Sequence, residues 1–149
     1  MNSLGRLLFG LLVSLIGLAT GASGASAMTV TSTGESGACT LRAAITAVNT
    51  NNSATPCGAV NPGGATTVDL PANTYTITGQ LQITAGANLE VVGANTSIPG
   101  LTIIDAGEGS RVFEVLAGGT LKLVGVQVTG GRTAGGAASS SSFAAGGQG

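Results

Sequence analysis

The 149-residue chain has no His and no Trp, only three Phe and one Tyr, and just 7% charged residues. Without His there is no Ser-His-Asp triad, no Cys-His pair, no imidazole zinc site and no histidine general base. Five Lys and Arg scattered along a chain of net charge −1 form no stripe that could track phosphates, so nucleic acid is not an expected partner. What the chain has in excess is glycine, 26 residues of it. Its length suits one small domain.

The first 27 residues read as an export signal. Arg6 supplies the positive start, Leu7 to Ala19 form the apolar run, and the small-residue stretch ends in Ala25-Ser26-Ala27. That layout predicts a secretory signal peptide cleaved after Ala27. The apolar run, broken by Gly10 and Gly17, is short of the ~20 residues of a membrane span. Beyond it, Arg42, Arg111, Lys122 and Arg132 stand against Glu35, Asp69, Glu90, Asp105, Glu108 and Glu114. The expected location is therefore extracellular or at a cell surface.

Cys39 and Cys57 are the only cysteines. An even count in an exported chain reads as a disulfide, and neither a C-x-x-C spacing nor a nearby His suggests redox chemistry. Closing that loop stabilises by roughly 3 kcal/mol on loop entropy. Between the cysteines, Leu41, Ala44, Ile45 and Val48 fall at helical spacing and predict a helix from Thr40 to about Asn49. Thr40 is a natural N-cap, while Asn49, Asn51, Asn52 and Pro56 supply the stop. A lone helix of this length is marginal in water, so it must lie on an apolar surface.

The run Cys39-Thr40-Leu41-Arg42-Ala43-Ala44-Ile45 resembles the CSLREA motif, found near the mature N-terminus of secreted bacterial proteins that continue as right-handed parallel β-helices. The preceding Thr29-Val-Thr-Ser-Thr-Gly34 resembles the family's opening strand, and Asp69 to Tyr75 and Ile104 to Phe113 resemble later pieces, so the likeness spans about 28–131. Two positions depart from the pattern. Thr40 for Ser keeps the cap; Ala43 for Glu removes half of a capping box, at a cost of a few tenths to about 1 kcal/mol. Arg42 is expected to pair with a carboxylate such as Glu35.

From Thr66 onward, short β-branched runs alternate with Gly, Asn, Pro and Ala turns. They are expected at 67–70, 74–78, 81–84, 88–92, 101–104, 112–116, 120–124 and 126–129, most with one apolar face and one of Thr, Gln, Glu or Lys. Leu81 to Gly93 aligns with Phe113 to Gly125 at an offset of 32, with Leu81 over Phe113, Ile83 over Val115 and Val91 over Leu123. Omitting the excursion Ala94 to Leu101 brings Thr102 to Gly107 over Val126 to Gly131 at an offset of 24. A three-strand unit of that length suits one β-helix turn, with Gly and Asn in left-handed corners. An antiparallel sandwich is the competing architecture.

The expected fold is thus all-β: the start of a right-handed parallel β-helix with a short N-terminal capping α-helix. The chain divides into a signal peptide (1–27), a cap with helix and disulfide (28–65), rungs (66–131) and a tail (132–149). Sixteen of the last twenty residues are Gly, Ala or Ser, which predicts a flexible tail. The family continues with further coils, so the chain reads as the front of a longer protein or as one that self-associates through its open edge.

No catalytic, cofactor or metal site is expected. Resemblance to β-helix polysaccharide lyases and glycosidases makes Asp105, Glu108 and Arg111 candidate ligand contacts, against the plainer reading of solvated turn residues. The function expected is structural or adhesive, with an extracellular polysaccharide, a cell-surface protein or a second copy as partner. The alternative is the N-terminal part of a polysaccharide-active enzyme whose catalytic rungs lie further on.

Overall fold

A computed structural model describes residues 26–133. The expected signal peptide, apart from its last two residues, and residues 134–149 of the expected tail lie outside the described part.

Nine short strands follow one another: β1 (Ala27–Thr29), β2 (Thr66–Leu70), β3 (Asn73–Thr76), β4 (Leu81–Ile83), β5 (Asn88–Gly93), β6 (Thr102–Asp105), β7 (Phe113–Val115), β8 (Thr120–Val124) and β9 (Gln127–Thr129). One helix, α1 (Leu41–Thr50), lies between β1 and β2. The chain visits three sheets in turn, which are ordered β1-β2-β5-β8, β3-β6-β9 and β4-β7. Every strand pair is parallel, which excludes the antiparallel sandwich.

The register matches the internal alignment. Leu81 faces Phe113, Ile83 faces Val115, Val91 faces Leu123 and Ile104 faces Val128. Side chains that share a register position stack in columns. The longest runs Met28, Val68, Val91, Leu123 through the four-stranded sheet. Its first three members are fully buried, whereas Leu123 is 39% exposed. The same step recurs from buried Tyr75 and Ile104 to exposed Val128, and from buried Ile83 to exposed Val115.

β1 begins just before the expected cleavage point: Ala27 pairs with Thr67, and the Ser26 carbonyl accepts from the Thr67 N–H. Three expectations need correction. Threonine is not confined to the outer faces, because Thr66 and Thr102 are fully buried. Their hydroxyls satisfy incoming loops, with Thr66 Oγ1 accepting from Asn61 N at 2.9 Å and Thr102 Oγ1 from Ala94 N at 3.0 Å. Leu101, expected to open a strand at 101–104, instead ends the short 3-10 turn before β6 and is exposed. Among the described residues Asn takes no left-handed corner between strands: Asn51, which is left-handed, ends the helix, and Glu108 occupies a left-handed corner instead. Gly86 and Gly118, at φ of 82° and 85°, hold equivalent corners 32 residues apart where a Cβ would be strained.

The helix starts as its sequence predicts. Thr40 Oγ1 accepts from Ala43 N at 3.0 Å, and Leu41, Ala44, Ile45, Ala47 and Val48 are buried. It packs against β4 and β5. Arg42 donates to the carbonyls of Gly79 and Gln80, just before β4. One heptad further on, Asn49 donates to the Gln82 carbonyl and accepts from the Thr84 N–H. These two side chains supply β4 with the hydrogen bonds that a neighbouring strand would otherwise make. The Cys39–Cys57 disulfide, with Cα atoms 4.9 Å apart, ties the start of the helix to the segment beyond it.

Burial along a column sets the cost of cutting it. Ile104→Ala should destabilise by about 2–5 kcal/mol, whereas Val128→Ala in the same column should cost under about 1 kcal/mol. Urea melts of the two variants check the contrast; equal losses would mean that Val128 is covered.

Candidate functional site

The expected partnership of Arg42 with Glu35 is present and goes further than a surface pair. Arg42 Nε donates to Glu35 Oε2 at 2.6 Å and Nη2 to Oε1 at 2.9 Å, a bidentate fork. Glu35 Oε1 also accepts from the Thr78 N–H at 3.0 Å. The carboxylate thus joins the segment after β1 to the segment after β3 through the first turn of the helix. The Arg42 hydrogen bonds hold the Glu35 carboxyl below its ordinary pKa near 4.5, with the Thr78 N–H assisting and partial burial opposing. The same fork raises Arg42. All five donated bonds stay within the protein's own framework, so this cluster is built for structure.

The three candidate contact residues do not form a common site. Asp105 Oδ1 accepts from the Gly107 N–H, closing a turn on itself. Glu108 stands in that turn at a φ of 60°. Arg111 reaches the other way, to Glu114 Oε1 at 3.3 Å. Glu114 is the polar centre that sequence reasoning missed: its Oε2 accepts from Gln80 Nε2 at 2.7 Å and Gln82 Nε2 at 2.8 Å. Gln82 and Glu114 are register partners, so the offset of 32 was the signal that could have found the pair. Beside it, Lys122 and Glu90 pair at 2.7 Å, again as register partners. These are ladders of neighbouring outward side chains, each worth a few tenths of a kcal/mol.

Among the described residues no three carboxylates, Cys or His converge on a metal position. No described helix is long and apolar enough to cross a membrane. Tyr75 is buried, donates to the Pro71 carbonyl at 2.9 Å, and has its hydroxyl pKa raised by desolvation. It is therefore a core residue and offers no ring face to a ligand.

The other feature that invites function is apolar. Val115, Leu116, Leu123 and Val128 are all exposed, and all belong to the last described strands or the turn after β7. Val115, Leu123 and Val128 continue columns whose preceding members are dry. They form one end of the stacked sheets, opposite the end where β1, the disulfide and the helix lie. No family model matches the chain, and no curated protein or solved structure matches it either.

The Glu35 clamp has a pH signature. Because its folded pKa is lowered, its contribution is complete above about pH 4.5 and lost as the pH falls through the lower folded value. Glu35→Gln should lower the midpoint of thermal unfolding at pH 7 and narrow its gap to the wild type as the pH approaches 2. A gap that stays constant in acid would assign the loss to packing.

Proposed function

We propose that the chain is an exported, non-catalytic segment of a right-handed parallel β-helix of the CSLREA type, with a structural and interaction role. The ordered visits to three parallel sheets and the stacked columns support the β-helix reading. The small-residue leader and the single disulfide support export. On this reading α1 is the cap of the N-terminal end. Arg42 and Asn49 occupy the outer edge of β4, which would otherwise be a template for another strand. Processing after Ala27 leaves the Met28–Val68 and Thr29–Asp69 pairings in place and removes one backbone bond, that from Thr67 to Ser26.

The last described rung carries the functional reading. Its strands have no further partner strand among the described residues, and with exposed Val115, Leu123 and Val128 they form an interaction surface whose occupant is a second copy of this chain. With the N-terminal end capped, pairing of two such rungs closes as a two-fold dimer and cannot propagate. The same end would accept further rungs in a longer polysaccharide-active protein, which is the second reading.

Analytical ultracentrifugation of the full chain tests the first. The wild type should sediment as a dimer at micromolar concentration, and Leu123→Lys/Val128→Lys as a folded monomer. A wild type that stays monomeric throughout the range would remove the interaction reading.

A further inference from the structure

A cleft of about 450 Å³ opens where the end of α1, the 60–66 segment and the turn before β5 meet. It is remote in kind from the apolar rung end. Val48, Val60 and Ala87 give it a buried apolar floor, and Asn49, Asn51, Asn61 and Asn88 bring four carboxamides to it. Among the described residues no charged one lines it.

Two of the carboxamides have structural partners. Asn49 is bonded to Gln82 and Thr84, and Asn61 Nδ2 donates to the Ala65 carbonyl while its Oδ1 accepts from Gly63 N. Asn51 and Asn88 are exposed, and their side-chain amides make no hydrogen bond among the described residues. Neither position needs a carboxamide for folding. Asn51 ends the helix at a φ of 50°, where Gly is the commonest residue. Asn88 has Thr120 as its register partner in the next strand of the same sheet.

The lining selects a ligand class. A phosphate, carboxylate or cation would enter without a counter-charge. An extended peptide would need a free strand edge, but β2 and β5 are both paired on both sides. A carboxamide offers a donor and an acceptor side by side, as vicinal hydroxyls require. The apolar floor suits the C–H face of a pyranose, and the volume lies within the ~300–1,000 Å³ of small-ligand sites.

We propose that this cleft binds a neutral saccharide, with Asn51 and Asn88 making the hydrogen bonds that recognise it. The proposal does not depend on association through the open rung, and a monomeric protein would leave it standing.

The test is NMR titration of the isotopically labelled full chain with cellotriose, maltotriose, mannotriose and chitotriose, with trigalacturonate as the charged control. Saturable shifts are expected at the side-chain amides of Asn51 and Asn88 with at least one neutral sugar and none with the acidic one. Asn51→Gly and Asn88→Thr should keep the wild-type thermal midpoint while each weakens binding about tenfold, the loss of one hydrogen bond. Absence of saturation with all four neutral sugars, equal binding of trigalacturonate, or unchanged affinity in both variants would overturn it.

Discussion

Parallel stacking at constant register governs everything else in this molecule. A strand in such a stack buries its inward side chains only when another strand, or something in its place, lies on either side of it. Val68 and Val91 are dry because each has a neighbour above and below, and Leu123 is wet because it has only one among the described residues. A column therefore creates two demands that its own sequence cannot meet, one at each end.

At one end the demand is met by elements of a different kind. A ten-residue helix would be marginal alone. Here it is held by five buried side chains, by the disulfide at its start, and by polar grips one heptad apart on the backbone flanking β4. Ala43 stands where a capping-box glutamate would complete the first turn, yet the helix is secured there by the Glu35–Arg42 fork instead. The electrostatics of this end thus serve the same purpose as its packing: they replace a strand that is not there.

Function follows from what the stack leaves over. The outward faces carry register pairs such as Gln82–Glu114 and Glu90–Lys122, which stabilise their sheets and converge on no reactive centre. The insertion that carries the helix and the loop before β2 adds a polar, uncharged cleft beside the stack. The apolar last described rung and this cleft are surfaces whose chemistry the contacts among the described residues leave unused.

Much of this was legible in one dimension, because local chemistry decided it. The 32-residue alignment anticipated the partners Leu81–Phe113 and Val91–Leu123, since residues stacked on one another face the same requirements. Thr40, Arg42 with Glu35, and the Cys39–Cys57 pair also followed from spacing and residue type. The inward turn of Thr66 and Thr102 was not legible, because hydropathy cannot see that a loop N–H arrives to bond each hydroxyl. Asn51 read only as a helix stop, since nothing along the chain shows that the 60–66 segment and the turn before β5 line one cleft with it. Sequence alone determined the alternation and the Thr40 helix cap, both of which depend on neighbours along the chain. Only the tertiary structure decided which columns are buried, which carboxamides stay unbonded and which rung is exposed among the described residues, because each of these depends on what lies across the stack.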